Sequence, residues 1–225
     1  MQEFTQLPAG TICLFTRPIV PGRTKTRLAQ KLGPDVAASL AQAFLIDSYN
    51  LVTSTYPGRV IVCLAEPGPL PELTPHPQTW LQGGGDLGER MTRAAIQALT
   101  SDPSWVIIVG SDSPGLPSSH LRLAVHLLQS GADSVLGPAE DGGYYLLGLR
   151  RCPPALLSRL DWGTAHAASD TLRRLSDQGF DPQLLPTWFD IDTCEDLGRL
   201  QQLLDEGLAV APETLHALMR LVAPS

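Results

Sequence analysis

The sequence predicts an α/β protein: a mostly parallel central sheet with helices on both faces. Three observations carry this. Short apolar runs alternate with longer segments whose apolar residues recur at helical spacing, as in a chain that crosses a sheet and returns through helices. The clearest short run, 105–109 (WVIIV), is apolar throughout, as strands buried on both faces are. The length, 225 residues, suits one such domain, 1–225, with elaborations.

The elements follow in order. Residues 11–16 (TICLFT) read as a short buried strand, and 35–52 as a helix with Pro34 near its start. A second strand is 60–65 (VIVCLA). Five prolines make 67–77 a loop, and 79–82 is a short third strand. The 86–99 segment is a helix entered through glycines, and 105–109 is the next strand. Residues 118–129 form a helix with Ser118 or Ser119 as N-cap. Strands 134–136 and 144–149 flank a glycine turn. Helices are expected over 154–160, 165–178, 194–206 and 212–222. Between them, 184–189 reads as an edge strand, because Pro186 interrupts it. The last helix, around Leu215 to Val222, leaves two placements open: packed inward, or the face of a homodimer.

Composition narrows the function classes. Lys and Arg number 16 against 23 Asp and Glu, a net charge of -7, whereas nucleic-acid binders carry a basic surplus. No apolar stretch approaches the roughly 20 residues that span a bilayer, and the N-terminus has neither the basic nor the apolar region of a signal peptide. The expectation is a cytoplasmic protein. Cys13, Cys63, Cys152 and Cys194 form no C-x-x-C pair, so neither a zinc nor a redox motif is visible. Cys13 and Cys63, inside apolar runs, read as reduced buried thiols. The five histidines show no metal-ligand spacing.

In a sheet of this kind ligands bind beyond the carboxyl ends of the strands. After the first strand come Arg17, Arg23, Lys25 and Arg27, four cations with no acid among them, in a chain whose only lysines are Lys25 and Lys31. Cations are poorly placed near a helix start, so the cluster points to a bound anion; the alternative is a solvated cationic face. Gly22 lets backbone approach a phosphate that Lys and Arg neutralise. It is not a Walker A loop, because Thr24 precedes Lys25 where that motif has glycine. The run Gly83-Gly84-Gly85-Asp86-Leu87-Gly88 contains G-x-G-x-x-G out of its dinucleotide-binding context. It reads as a turn into a helix capped at Asp86, with Gly85 and Arg90 in reach of a phosphate or carboxylate.

Two acidic segments complete the pattern. WVIIV runs into Gly110-Ser111-Asp112-Ser113-Pro114-Gly115. Asp112 is therefore delivered to the ligand edge, where a carboxylate can hold Mg²⁺ or Mn²⁺ against a diphosphate; the alternative is an Asx-turn. In Asp190-Ile191-Asp192, an extended chain puts both carboxylates on one side, while Thr193 caps the next helix with Asp196. Glu140-Asp141-Gly142-Gly143-Tyr144 is a hairpin signal. It also offers two carboxylates for an acceptor hydroxyl, one of them as general base, together with the backbone of Gly142 and Gly143 and the face of Tyr144. Trp162, in its own glycine turn, lines an acceptor pocket or anchors a loop.

The segments FTRPIVPGRTKTRL (15–28), GGDLGERM (84–91), GSDSPGL (110–116), GPAEDGGYYLLGL (137–149), WGT (162–164) and DIDTCEDL (190–197) together resemble a bacterial family of arsenosugar-biosynthesis glycosyltransferase-like proteins. That family is related to the nucleotide-diphospho-sugar transferases and nucleotidyltransferases. The resemblance implies a Rossmann-like GT-A fold. It implies that Arg17, Arg23 and Lys25 hold nucleotide phosphates, that Asp112 binds the metal, and that Asp192 is the second metal-side acid. The implied activity is metal-dependent transfer of a sugar from a nucleoside-diphosphate sugar to a small acceptor. Asp112-Ser113-Pro114 departs from the glycosyltransferase D-x-D. The alternative is nucleotidyl transfer from a nucleoside triphosphate to a phosphorylated small molecule, and a third reading is a non-catalytic nucleotide binder.

Overall fold

In the computed structural model, residues 9–100 and 104–222 are described; the expectation about the extreme N-terminus falls on residues 1–8, outside them. The chain alternates as β1 (Gly10–Thr16), α1 (Thr26–Leu32), α2 (Pro34–Thr55), β2 (Arg59–Leu64), β3 (Gln78–Leu81), α3 (Leu87–Leu99), β4 (Trp105–Gly110) and α4 (Ser118–Gln129). It continues through β5 (Ser134–Pro138), β6 (Tyr144–Leu149), α5 (Ala167–Asp177), β7 (Pro182–Leu184), α6 (Cys194–Asp205) and α7 (Pro212–Val222). One seven-stranded sheet results, in the order β3-β2-β1-β4-β6-β5-β7. All pairs are parallel except those of β6, which runs antiparallel to β4 and β5. The short Asp-Gly turn dictates that exception, since a tight turn can join only antiparallel neighbours.

The period-2 alternation of the strands divides the core. Ile12, Leu14, Val62, Ile107 and Val109 face α2 and α4 through Leu45, Tyr49, Leu121 and Leu128. The intervening Cys13, Ile61, Cys63, Val106 and Ile108 face α3 and α5 through Met91, Ala95 and Leu175. A third cluster joins α1, α2, α6 and α7 to the segment before α6 through Leu28, Phe44, Ile191, Leu200 and Leu218. The C-terminal helix thus packs inward at Leu218, while Met219 and Leu221 remain exposed. No helix among the described residues is long and apolar enough to cross a membrane.

Three expectations are corrected. Residues 154–160 form turns, not a helix. Pro153 and Pro154 withhold two backbone donors, and Arg159 adopts a left-handed φ of 55°. The helix-like spacing of Leu156, Leu157 and Leu160 records their burial against the sheet. Neither Ser118 nor Ser119 caps α4: Pro117 occupies the N-cap, and Ser118 instead accepts a hydrogen bond from Arg122. The edge strand lies earlier than 184–189. It is β7, paired with β5, and beyond Pro186 only a bridge between Ala139 and Trp188 continues it. The two caps expected at Asp86 and Thr193 are present as full capping boxes.

Candidate functional site

From β1 the chain proceeds to β2 on one side of the sheet, while β4 lies on the other. The carboxyl ends of β1 and β4 therefore flank the point where strand order reverses, the usual place for a ligand crevice. The loop after β1 is tied down by its own backbone. Arg23 and Thr24 donate to the Val20 carbonyl, Ile19 donates to Pro69, and the Val20 amide donates to the buried Thr24 hydroxyl. Gly22 has φ 79°, which this turn requires.

Lys25, the N-cap of α1, has φ 46° and ψ 54°. A non-glycine residue in that region costs about 1–2 kcal/mol, and such strain concentrates at functional sites. Its side chain is only 7% exposed and reaches the crevice. There Nζ lies 2.8 Å from Asp112 Oδ1 and 2.9 Å from Asp192 Oδ1. Both carboxylates are about half exposed, at 55% and 49%. Burial pulls the Lys25 pKa down, but the charges and hydrogen bonds of the two aspartates outweigh it. The net value is raised, and the ammonium stays charged.

The 190–192 segment reaches the end of β4 through a hydrogen bond from the Ile191 amide to the Asp112 carbonyl, 2.9 Å. Ile191 points into the core, so Asp190 and Asp192 share the opposite side, as alternation predicts. Asp190 is bonded by the Ser113 hydroxyl. Its pKa is pushed up to about 6, chiefly by burial and then by Asp112, against the Ser113 bond. Arg27 stands 3.9 Å from Asp192, whereas Arg23 turns away to pair with Glu66. Arg17 is exposed, with no ion pair among the described residues.

The glycine run lies past β3. Gln82, buried just before it, donates through Nε2 to the carbonyls of Thr16 (3.3 Å) and Cys63 (2.8 Å). Its Oε1 faces Arg90 at 3.4 Å, and Arg93 donates to its backbone carbonyl. Gln82 thus ties the ends of β1 and β2 to Arg90. Its place at the head of a glycine run is a signal that the sequence reading left unused. Gly85 borders a separate hollow of about 570 Å³, lined also by Glu89, Thr92, Arg93 and Pro154. None of the Lys25, Asp112 and Asp192 cluster lines it.

In the β5–β6 turn the two acids have different surroundings. Glu140 is held in a two-pronged ion pair by Arg199 (2.5 and 2.8 Å), whose guanidinium lies 3.9 Å over the Phe189 ring. The Arg199 hydrogen bond holds the Glu140 carboxyl below the usual range. Among the described residues Asp141 accepts only from the Gly143 amide; it is exposed, and near enough to Asp190 to raise the Asp190 pKa. Gly142 (φ 88°) lies against the Ala165 backbone, where a Cβ would come within 2.1 Å of the carbonyl oxygen. Tyr144 and Trp162 meet edge to face at 6.2 Å and pack on α3 at Met91 and Gly88. Both pack at the rim of the core. Arg199 was missed by sequence reasoning, since nothing in a lone arginine on α6 advertises a partner 59 residues away.

Residues 51–164 match a sequence family described as an uncharacterized protein conserved in bacteria (DUF2064). The chain belongs to this family. The matched span holds Asp112, Glu140 and Asp141 but neither Lys25 nor Asp192. A protein from Desulfovibrio desulfuricans G20, provisionally described as a nucleotide-diphospho-sugar transferase, is 30% identical, with 93% of this chain and 94% of that one aligned and a TM-score of 0.83. The chain has that fold. More distant likenesses show the fold alone. A CMP:2-keto-3-deoxy-manno-octonic acid synthetase complexed with CTP is 11% identical (88% and 99% aligned, TM-score 0.57). A cytidylyltransferase from Leptospira borgpetersenii is 16% identical (89% and 88% aligned, TM-score 0.53). No curated protein matches the chain significantly.

Proposed function

We propose that this transferase moves a sugar from a nucleoside-diphosphate sugar to a small acceptor, in the cytoplasm, with the help of Mg²⁺ or Mn²⁺. The observation that carries the reading is the convergence of Lys25, Asp112 and Asp192 on one point at the strand-order reversal. The donor set fits a hard divalent cation. Both Oδ1 atoms already converge on a single positive centre, and such ions commonly take one or two protein carboxylates plus phosphate oxygens. Asp112 and Asp192 would hold the cation, which would offset charge developing on the departing diphosphate.

The chain's own residues supply the rest. Lys25 and the exposed Arg17 and Arg27 neutralise the phosphates, and Gly22 lets the loop backbone approach them. Arg23 holds the loop to Glu66 and is released only if that exposed pair opens; such pairs are weak. Arg90, oriented by Gln82, borders the same strand ends. Asp141, which pairs with no cation among the described residues, orients or deprotonates the acceptor hydroxyl. Glu140 fixes the turn that carries it.

A second reading, nucleotidyl transfer with release of pyrophosphate, is favoured by one feature. The strand end has a single acid, with Ser113 committed to Asp190 in the place next to it. Thermal shifts with nucleoside-diphosphate sugars and nucleoside triphosphates, with and without Mn²⁺, separate the two. Stabilisation by sugar nucleotides supports the first reading, and stabilisation by triphosphates alone supports the second. Asp112→Asn is expected to abolish transfer while leaving the fold intact by circular dichroism. Full activity of that variant refutes the role of Asp112.

A further inference from the structure

We infer that Lys25 is a resident cation that keeps the metal position between Asp112 and Asp192 closed until a phosphate group draws its ammonium away. The inference rests on the metal-dependent reading above and adds how that site is regulated. One nitrogen contacts an oxygen of each carboxylate, at 2.8 and 2.9 Å, so it stands where a bridging cation would stand. A divalent ion bound to the same two oxygens would meet the ammonium at close range, and like charges in a partly buried site repel strongly.

The lysine is held at its base and carries its charge on a long stem. Its backbone is fixed at the N-cap of α1, and its stem lies buried near the Phe44 ring, 5.9 Å from Nζ. A four-carbon stem nonetheless lets the ammonium change partner without moving the backbone. Asp112 and Asp192 are anchored independently, by the Ile191 amide at the Asp112 carbonyl and by the capping box at Thr193. The backbone that carries each carboxylate therefore does not depend on the lysine.

The protein's donors do not complete a metal shell. Among the described residues no group of three or more His, Cys, Asp or Glu side chains is disposed to hold a metal ion. A cation that needs six oxygens must take the others from water or phosphate. An arriving diphosphate thus does two things at once: it offers Lys25 another anionic partner and offers the metal further ligands. Metal and phosphate then raise each other's affinity by one common factor. Without a phosphate ligand the ammonium occupies the site, which takes up the metal poorly.

The test is Mn²⁺ binding to the full chain without nucleotide, followed by the paramagnetic resonance signal of free Mn²⁺. Wild type, Lys25→Met, Lys25→Gln, Lys25→Arg and the double variant Lys25→Met/Asp112→Asn are compared, with folding checked by circular dichroism. Lys25→Met and Lys25→Gln are expected to bind Mn²⁺ at least tenfold more tightly than wild type. Lys25→Arg should stay near wild type, and the double variant should lose the gain. If the neutral variants bind no more tightly than wild type, while wild type binds Mn²⁺ well alone, the gating role is overturned and the metal-dependent reading stands. If neither wild type nor the neutral variants bind Mn²⁺, even with inorganic pyrophosphate present, the metal-dependent reading falls and this inference falls with it.

Discussion

Replacing Asp47 with alanine removes a cap that one helix supplies to another. Asp47 lies within α2, 4% exposed. Its Oδ1 accepts from the Glu213 amide at 3.1 Å, and its Oδ2 accepts from the Thr214 amide at 2.8 Å and the Thr214 hydroxyl at 2.7 Å. These amides belong to the first turn of α7, where a helix has no intrahelical acceptors. Leaving such buried donors unmet costs about 1–3 kcal/mol each, and losing an N-cap typically costs about 1 kcal/mol. Thr214 can turn its hydroxyl elsewhere, and the freed turn can take up water, so about 3 kcal/mol is the working figure. For a chain of this size that corresponds to a fall of about 6–12 °C in melting temperature. Thermal unfolding followed by circular dichroism, with urea midpoints as a second measure, reads it directly. Burial raises the Asp47 pKa above the ordinary value, against the opposing hydrogen bonds of Thr214 and Glu213. The folded state therefore binds this proton more tightly than the unfolded one. Its contribution is complete below the unfolded pKa, about 3.9, and is lost as pH rises through the folded value. The gap between wild type and Asp47→Ala should accordingly narrow as pH rises above about 4. An Asp47→Ala protein that melts within about 2 °C of wild type refutes the shared-cap account.

Two further predictions concern the turn and the thiols. Gly142→Ala places a methyl group 2.1 Å from the Ala165 oxygen at φ 88°, whereas Gly163→Ala meets only backbone strain, with nothing within 4 Å. The first should lower the urea midpoint well beyond the second, which is limited to about 1–2 kcal/mol; equal midpoints would show that the turn gives way freely. Cys13 and Cys63 are buried, the hydrogen bond with the Cys13 thiol and then burial push the Cys63 pKa up, and burial pushes Cys152 to about 11. At pH 8 a disulfide reagent should therefore label the native protein chiefly at Cys194, and all four sites in urea. Native labelling of Cys13 or Cys63 at the unfolded rate would contradict the packed interior.

Local chemistry made much of the fold legible. The strands are short apolar runs, and Asp86 and Thr193 each stand three residues before an acid, so both capping boxes could be read directly. The misread helix at 154–160 has a physical cause. Leu156, Leu157 and Leu160 repeat like a helix because the sheet buries them, while their backbone only turns. Burial and helical periodicity leave the same mark on a sequence. In the candidate site, the residue types and the loops that carry them were visible. The division between Glu140 and Asp141 was not, because it depends on Arg199, and neither was the tie from Gln82 to the first strand.

By itself the sequence determined an alternating α/β chain, an acidic surface balance, a cationic loop after the first strand and carboxylates at later strand ends. Each of these is a property of neighbouring residues, set by spacing and backbone propensity. Only the tertiary structure decided that Lys25 meets Asp192, 167 residues away, and that one ammonium stands between two carboxylates. Strand order determines which loops share an edge, and that order is chosen by the burial of whole faces against helices, a balance that no local stretch of chain records.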